Sequence, residues 1–412
     1  DTLLGGAAAK DLNDLDAKTS VVVDAKAVTA IKGSAAEIKT VLAAKTITTA
    51  ANVKATVDGV ISAADANTIS KATTGVVTAT VDAGTAAALK SALAGVANDG
   101  LDALTLTVTG TTAAAADLIA LDAKTSVDVE VNATTITGNI ADVTKVLVTD
   151  KAHFVNLGDE TVTISGTVSA ADANAIANAT TGAVTATITA GIASDLNTAL
   201  ANATAADALK LTVNGETANA TVLNALDGKT SVTVNAAAIK NIDGAGATGA
   251  ADVKAAYDAN ALKTISGLGN ETVDLSKATD ANASLVKAIN DYTTGVITLP
   301  TITFDNVVTN FSLSQLGDLN GITGLANIKA DNGVADAINI SLKDLLAAND
   351  SKENIIFDIT GESSSDKVTL SDYSGWTVAD ATANLAQYVF TNSTTEQTIT
   401  IRIDTIDDTK VL

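Results

Sequence analysis

Leu15-Asp-Ala-Lys-Thr-Ser-Val21 is one copy of a stretch that the chain repeats, and this repetition decides the fold. The same residues return as Leu121-Asp-Ala-Lys-Thr-Ser-Val127, and Leu226-Asp-Gly-Lys-Thr-Ser-Val232 differs from both at one position. The copies start 106 and 105 residues apart. Several register-matched copies at a nearly constant period indicate a tandem array of one structural unit.

A second pair of motifs recurs inside the same period. Ser62-Ala-Ala-Asp-Ala-Asn67 returns with identical residues at 169–174. Each copy is followed by a Thr-Thr-Gly segment, Thr73-Thr-Gly-Val-Val-Thr-Ala-Thr80 in the first case and Thr180-Thr-Gly-Ala-Val-Thr-Ala-Thr187 in the second. A shorter version, Thr293-Thr-Gly-Val-Ile-Thr298, stands in the third block. The third block therefore belongs to the array but has diverged.

Each block divides into short strands and short helices. Apolar residues alternate with Thr at the strand period of two. The centres of these alternations are Val21, Val57, Val77, Leu106, Val127, Val162, Val184, Leu211 and Val232. Between them, Ala-rich segments carry apolar residues three and four apart, which predicts helices. These segments are residues 35–44, 85–97, 112–121 and 192–203, with N-caps expected at Ser34, Thr85, Thr112 and Ser194.

Strand–helix units of roughly 20–36 residues cannot bury their own apolar faces and must stack on one another. We therefore predict an α/β repeat fold, a strand–helix solenoid in which a parallel β-sheet is flanked by short helices, with right-handed crossovers. Its blocks are expected at residues 1–120, 121–225 and 226–300. In this arrangement Val21, Val127 and Val232 should occupy equivalent inward positions.

The composition changes near Pro300. Seven of the ten aromatic residues follow this proline, and so does the single arginine, Arg402. Residues 301–412 are therefore expected to form a β-rich C-terminal module that caps the exposed end of the solenoid.

Charge and composition exclude several functional classes. The 412 residues include 47 acidic and 25 basic side chains, which gives a net charge of −22. Such a charge opposes nucleic-acid binding, because that binding relies on Lys and Arg. The absence of Cys excludes disulfides and thiolate metal sites, and a single His excludes a site built from two imidazoles. No run of 18 apolar residues occurs, so no transmembrane segment is expected.

The C-terminal residues 335–412 carry a set of motifs in a characteristic order. These are Ile340-Ser-Leu-Lys-Asp-Leu-Leu346, Ile355-Ile-Phe-Asp-Ile-Thr-Gly361, Asp366-Lys-Val-Thr-Leu370, Gly375-Trp376, Tyr388-Val-Phe390 and Ile399-Thr-Ile-Arg-Ile-Asp404. This order resembles the terminal module of repeat-in-toxin (RTX) type bacterial adhesins and S-layer-like surface proteins exported by type I secretion. The resemblance implies a secreted bacterial cell-surface protein. The calcium-binding nonapeptide array of that family does not occur here, although Leu157–Ile164 and Gly267–Leu275 approach it.

Carboxylates are the abundant reactive groups of this chain. In the C-terminal module Asp358, Asp366, Asp372 and Asp404 fall at predicted turns and strand ends, as do Asp407 and Asp408. Ca²⁺ accepts such oxygen ligands, so the first four are predicted calcium ligands. The alternative is that they serve turn formation and solubility.

The sequence contains no evident catalytic constellation. His153 lies in the irregular segment Lys151-Ala-His-Phe-Val155 without a recognisable triad or second ligand. We assign His153 a surface or packing role and predict that the protein is not an enzyme.

Pairs of threonines separated by one residue recur on the predicted strands, for example Thr78 with Thr80 and Thr185 with Thr187. If the intervening apolar residues face the helices, the stacked strands expose a flat threonine ladder. Such a ladder could bind ice or a second subunit, or Thr could serve simply as a good strand former.

These features predict an extracellular structural protein that self-assembles into a bacterial surface layer, sheath or appendage. The expected partners are other copies of the chain, in a lattice or filament, and cell-surface polysaccharide; Ca²⁺ is the expected cofactor. The alternative function is that of an adhesin segment that binds a host, glycan or ice surface.

Overall fold

The computed structural model describes residues 5–304, 310–361, 366–380 and 386–404. Asp407 and Asp408, two of the predicted turn carboxylates, lie outside the described residues. The chain divides into two compact units. Unit 1 comprises Asp1–Ile188 with Asn202–Leu209, and unit 2 comprises Thr189–Ala201 with Lys210–Leu412. Each unit is described by itself below.

The strands that build unit 1 are short and pair in parallel. Within each sheet, the strands lie side by side in the order in which they occur in the sequence. Its first five-stranded sheet contains Gly5–Ala8, Val28–Gly33, Lys54–Ile61, Val77–Val81 and Ala103–Thr105, in that spatial order. Its second contains Thr112–Ala114, Thr135–Asn139, Thr161–Val168, Val184–Ile188 and Ala208–Lys210. Shorter ladders pair Val23–Ala25 with Ile47–Thr49, and Thr107–Val108 with Val129–Val131 and Phe154–Val155.

Unit 2 contains ladders of the same kind. Its five-stranded parallel sheet contains Thr217–Asn219, Asn241–Asp243, Thr272–Asp274, Ile297–Thr298 and Ile322–Thr323. A two-stranded ladder pairs Val234–Asn235 with Ile265–Ser266, and a three-stranded one contains Asn310–Ser312, Ala337–Ser341 and Lys367–Ser371. A six-stranded sheet has the order Thr301–Thr303, Asn327–Ala330, Asn354–Gly361, Thr398–Asp404, Ala386–Asn392 and Trp376–Asp380. Its last two strands are added antiparallel.

The helices connect successive parallel strands. In unit 1 they are Ala9–Asp16, Ala35–Ala43, Ala63–Ala72, Ala86–Ala92, Ala115–Asp122, Ile140–Thr144 with a π-helical turn at Lys145–Thr149, and Ala170–Ala179. In unit 2 they are Ala193–Ala199, Ala220–Asp227, Gly249–Leu262, Ala283–Tyr292 and Leu342–Ala347. Short 3₁₀ turns occupy Lys151–His153, Leu313–Leu316 and Leu319–Gly321. The predicted α/β class, with many short parallel strands flanked by helices, is confirmed, and the described strands form no closed barrel.

The strands bury one face and expose the other, as their period of two predicts. In Val77–Val81 the side chains of Val77, Ala79 and Val81 are buried, whereas Thr78 and Thr80 are exposed. Val184–Ile188 shows the same alternation. The buried face packs against helices such as Ala63–Ala72, whose inward residues Ala66 and Ile69 are fully buried. Small alanines let these helices approach the sheet closely.

The first two blocks correspond even in their irregularities. A β-bulge interrupts the strand Lys54–Ile61 at Gly59, and another interrupts Thr161–Val168 at Gly166. Both glycines have positive φ, +76° and +81°, a region in which glycine has no steric penalty. The repeat therefore preserves backbone detail as well as sequence pattern.

A Thr-Thr-Gly turn links each of three helices to the entry of the preceding strand. In the second copy the Thr180 hydroxyl donates to the Glu160 carbonyl (2.7 Å), and the Thr181 N–H donates to the Gly158 carbonyl (2.8 Å). The Gly182 N–H donates to the Thr180 hydroxyl oxygen (3.0 Å). These bonds satisfy buried backbone groups.

The same hydroxyl-to-carbonyl bond occurs in the other two copies of the turn. Thr73 donates to Val53 at 2.6 Å and Thr293 donates to Glu271 at 2.8 Å. The copies of the turn are therefore equivalent in hydrogen bonding, including the divergent third one.

The expectation that Val21, Val127 and Val232 point inward is wrong. Val21 is 71% exposed and Val127 38%, and Val232 is only half-buried. In each copy the valine N–H donates to the hydroxyl of the threonine two residues earlier, at 3.0, 3.3 and 3.0 Å. This turn delays the strand by two residues. Accordingly, Val129 and Val234, rather than Val127 and Val232, are fully buried strand residues.

Two of the four expected N-caps are also wrong. Ser34 and Thr85 cap their helices by accepting a backbone N–H three residues later. Thr112 instead lies in a strand, and Ala114 occupies the cap position. At the other site Ile192, not Ser194, precedes the helix. A hydroxyl near a predicted helix start does not show whether the preceding residues extend into a strand.

Candidate functional site

The outward face of the second sheet of unit 1 carries hydroxyl groups in register. Thr163 lies directly between Thr137 and Thr185 on its two neighbouring strands. One step along the strands, Thr161 lies opposite Thr135, and their hydroxyl oxygens are 2.8 Å apart. The pairing of the strands therefore turns isolated threonines of the sequence into two-dimensional rows.

The first sheet of unit 1 presents a comparable face. Thr56 pairs with Thr78, and Thr80 pairs with Thr105. We call the outward threonines of these two sheets the threonine face. Its exposed members include Thr56, Thr78, Thr80, Thr105, Thr112, Thr161, Thr163, Thr167, Thr185 and Thr187. Neighbouring members are spaced about 4.8 Å across strands and about 6.6 Å along them.

Exposure of this face is unusual for parallel strands. Parallel sheets generally have both faces covered and carry continuous apolar runs. Here the helices cover one face, and the other presents methyl and hydroxyl groups to solvent. A regular surface of this composition can contact a second regular surface over a large area.

Unit 2 presents carboxylates at the corresponding outward positions of its five-stranded sheet. Asp243 lies directly opposite Asp274 on the adjacent strand, and Asn219 lies opposite Asp243 on the other side. All three side chains are half-buried. Like charges that face each other across strands destabilise a sheet.

The predicted calcium ligands lie in different environments. Asp358 is bound by the Arg402 guanidinium through two bonds of 2.5 and 2.8 Å, across neighbouring strands. Asp372 accepts the hydroxyl of Ser341 at 2.6 Å. Asp404 is exposed at the end of its strand, opposite Thr360.

Asp366 is the only one of the four predicted ligands that is fully buried, with 0% exposure. Its Oδ1 accepts the backbone N–H of Asp336 at 2.9 Å, and its Oδ2 is buried without a hydrogen-bond partner. Within the described ranges, no three His, Cys, Asp or Glu side chains gather into a group that could hold a metal ion. Calcium binding by the four aspartates stays a prediction.

Among the described residues, five buried acidic side chains were missed by the sequence analysis: Asp102, Glu160, Asp207, Glu271 and Asp336. Glu160 and Glu271 occupy the position that Val53 has in the first copy. In each copy, the carbonyl of this residue accepts the hydroxyl of the first threonine of the Thr-Thr-Gly turn. Each glutamate accepts the N–H of a glycine two residues earlier, at 2.9 and 2.7 Å, and leaves Oε1 buried without a partner. Alignment of the copies was the available signal, because it places two acids where the first copy has a core valine.

His153 pairs with Asp122 at the surface of unit 1. Its Nδ1 lies 3.2 Å from Asp122 Oδ2, and its side chain is 59% exposed. The hydrogen bond to Asp122, and then the charge of that carboxylate, raise the pKa of His153 above its ordinary value. A groove of about 500 Å³ beside the pair is lined by Ser126 and Asp128 among others. The pair can hold a proton, and the described groove contains no second imidazole or thiol for further chemistry.

Helices in the described ranges include none with the length and apolarity needed to cross a membrane. No protein-family model, curated protein or solved structure matches this chain.

Proposed function

We propose that this protein is an extracellular structural protein of a bacterial surface layer, sheath or appendage, built as a strand–helix solenoid and assembled from many copies. The observation that carries the proposal is the threonine face, a regular exposed surface on sheets whose opposite face is buried under helices. A catalytic protein concentrates positioned acids, bases or metals in a pocket. The regular feature of this chain is instead a repeated surface.

The order of the strands supports the solenoid. Each five-stranded sheet adds strands in the order of the sequence, all in parallel, so each strand–helix unit pairs with the one before it. The Thr-Thr-Gly turn adds side-chain bonds between successive units in three copies. Stability of such an array is a sum of unit and neighbour terms, and arrays of this kind provide long flat faces.

The antiparallel strands Ala386–Asn392 and Trp376–Asp380 support a capping role for residues 301–412. They extend the six-stranded sheet beyond its last parallel strand and reverse the direction of pairing. An open parallel edge is a template for uncontrolled strand addition. A reversed hairpin at that edge restricts assembly to other surfaces.

The partner that we propose for the threonine face is a second copy of this chain. Hydroxyl and methyl groups in matching rows can interdigitate or exchange hydrogen bonds without burying charge. The net charge of −22 opposes close approach of copies elsewhere. Cations held by rows such as Asp243 and Asp274 would reduce this repulsion, and acidic cell-surface polysaccharide could be bridged in the same way.

The alternative is an adhesin segment in which the threonine face, or the aromatic-rich C-terminal module, contacts ice, a glycan or a host surface. The regular spacing of the threonine rows favours this second candidate, because an ordered surface such as ice presents a repeating array of hydrogen-bonding groups.

Electron microscopy and light scattering of the purified chain test the proposal. Thr163→Lys with Thr185→Lys places two charges on the threonine face, and the proposal expects ordered assemblies to be lost. The matched control is Thr68→Lys, an exposed threonine on the helix Ala63–Ala72, which should assemble like the wild type. Assemblies unaffected by the face variant would refute the role of this face.

Ice-growth inhibition and glycan-binding measurements on the same variants decide between the two candidates. Loss of ice or glycan binding in the face variant, with no ordered assembly by the wild-type chain, would favour the adhesin.

A further inference from the structure

Two tyrosines of unit 2 stack on each other between neighbouring helices. Tyr257 belongs to the helix Gly249–Leu262, and Tyr292 is the last residue of the helix Ala283–Tyr292. Their ring centroids lie 5.7 Å apart and the ring planes differ by 15°, as in offset-stacked aromatic pairs. Tyr257 is 1% exposed and Tyr292 is 40% exposed. The pair therefore joins a buried ring to a ring that solvent reaches.

Both tyrosines stand where the second block of the repeat has aliphatic residues. Tyr292 directly precedes a Thr-Thr-Gly turn, a position that Ala179 holds in the second copy. Tyr257 lies four residues after the valine of an Asp-Val pair, as Leu147 does in the second block. The second block thus packs without this aromatic pair, and the two rings are a joint feature of the divergent third block.

Each phenolic hydroxyl of the pair donates to a carboxylate. The Tyr292 hydroxyl donates to Asp258 Oδ1 at 2.8 Å, and the Tyr257 hydroxyl donates to Glu271 Oε2 at 3.3 Å. Burial raises the pKa of Tyr257, and the hydrogen bond to Asp258 raises the pKa of Tyr292. Both phenols are therefore protonated at neutral pH. Each has a carboxylate in place for the proton that a phenol loses when it is oxidised.

The composition of the chain directs oxidation to its aromatic residues. Cys and Met are common targets of oxidants in proteins, and this sequence contains neither. Four tyrosines and one tryptophan remain as the most easily oxidised side chains. Of these tyrosines, Tyr373 lies against a phenylalanine, Phe390, with ring centroids 6.2 Å apart. Tyr257 and Tyr292 instead place two oxidisable phenols in contact.

We propose that Tyr257 and Tyr292 are a modification site, at which a peroxide and a haem peroxidase produce a dityrosine cross-link within one chain. The two phenols lose two electrons and two protons, and hydrogen peroxide takes up both to become two molecules of water. One C–C bond forms between ring carbons ortho to the two oxygens. Each of these carbons then gives up its hydrogen, and each oxygen regains one, so both phenols are restored.

The geometry gives each residue of the site a part in this reaction. The peroxidase oxidises Tyr292, whose ring is accessible, and the stacked Tyr257 passes an electron to the resulting radical. A second oxidation of Tyr292 then places a radical on each ring. Glu271 takes the proton of Tyr257, because Glu271 is 0% exposed and lies at a hydroxyl that is closed to water. Two radicals held in contact couple faster than radicals that must diffuse together.

Oxidation of the dilute 412-residue chain with hydrogen peroxide and a haem peroxidase tests the proposal. Trypsin releases residues 255–263 and 288–329 as two peptides, each of which contains one tyrosine. Mass spectrometry should find these two peptides joined with the loss of two hydrogen atoms, and the oxidised chain should show dityrosine fluorescence. Products that are mainly chain dimers, or that join other peptides, would overturn the proposal.

Phenylalanine variants identify the reacting rings. Tyr257→Phe and Tyr292→Phe keep a ring but remove the phenol, so each should abolish the joined peptides. The matched control is Tyr373→Phe, which removes a tyrosine of similar exposure, 37%, and should leave the yield unchanged. Circular dichroism before oxidation checks folding, and Tyr292→Phe at the surface tests the site even if Tyr257→Phe fails to fold. An undiminished yield in Tyr292→Phe would overturn the proposal.

The rate of cross-linking tests the part assigned to Glu271. Glu271→Gln still accepts the N–H of Gly269 through its amide oxygen but is a far weaker proton acceptor, so cross-linking should slow by about tenfold or more. The matched control is Asp258→Asn, which should slow the reaction less, because the Tyr292 hydroxyl that it serves belongs to an exposed side chain. Equal rates in Glu271→Gln and the wild type would overturn the role of this carboxylate.

Discussion

The hydroxyl of Thr180 lies 2.7 Å from the carbonyl oxygen of Glu160, a residue twenty positions earlier in the chain. The same threonine accepts the N–H of Gly182, so one side chain joins two successive strand–helix segments within unit 1. Thr180 is only 7% exposed, and backbone groups at such depth need partners. This contact explains why Thr-Thr-Gly recurs while the residues around it change.

Removing the Thr180 hydroxyl should destabilise unit 1. Thr180→Val keeps the size of the side chain but leaves the Glu160 carbonyl and the Gly182 N–H without their partner. The expected loss in the free energy of unfolding is about 1–3 kcal/mol. Thr180→Ser, which keeps the hydroxyl, is the control and should lose about 1 kcal/mol or less. Urea unfolding followed by circular dichroism measures both; equal losses would show that the hydrogen bonds contribute nothing.

The glycine of the same turn should tolerate no side chain. A Cβ at position 182 would lie 2.3 Å from the Glu160 carbonyl oxygen and 2.4 Å from its carbon. Gly182→Ala should therefore lower the free energy of unfolding by about 3 kcal/mol or more, or prevent folding, because the backbone atoms of Glu160 must move.

Gly228→Ala is the matched control for that substitution. The nearest atom to a Cβ there is 3.5 Å away, and the equivalent positions 17 and 123 already carry alanine. This variant should be neutral or more stable by up to about 1 kcal/mol. Thermal unfolding of both variants tests this difference. A Gly182→Ala variant as stable as the wild type would contradict the close approach of Gly182 to the Glu160 backbone.

Calcium should control assembly more than folding. At neutral pH the chain carries 47 acidic against 25 basic groups, so copies repel one another. Salt screens such repulsion only beyond about 8 Å, and bridging cations act at contact. A chelator should shift assemblies towards monomers, and Ca²⁺ should restore them where NaCl of equal ionic strength does not.

Circular dichroism on the same sample should change little on chelation, because the core is stabilised by buried Val, Leu, Ile and Ala. If light scattering does not change when the chelator is added, Ca²⁺ has no role in assembly. Global unfolding on chelation would instead make the ion part of the fold.

His153 should affect stability only at mildly acidic pH. Its pKa is raised in the folded state by Asp122, so the pair stabilises the fold below the unfolded-state value of about 6.5. That contribution disappears as the pH rises through the folded-state pKa. Because the side chain is 59% exposed, the effect should stay below about 1 kcal/mol.

Unfolding of His153→Ala should match the wild type at pH 8 and fall slightly below it at pH 5.5. A larger difference at pH 8 would contradict the assignment, and loss of a catalytic activity in this variant would overturn the structural function proposed for the chain.

The α/β class and the identity of the core face followed from local pattern alone. Alternation in Thr73–Thr80 and Thr180–Thr187 places Val77 and Val184 inward, because successive strand residues point to opposite faces. The same argument failed at Val21 and Val127. There a threonine hydroxyl accepts the N–H of the residue two positions later, and the strand begins after this turn. An alternating pattern does not show at which residue a turn ends.

Tertiary structure alone decided which polar residues meet and which are buried. Thr163 and Thr185 form a row only because their strands pair in one register, and Asp336 reaches Asp366 only because residues thirty apart begin adjacent strands. Sequence periodicity reports the direction of a side chain within its own strand. The neighbour that it faces, and the loss of water around a carboxylate, depend on how separate strands stack, which no local pattern contains.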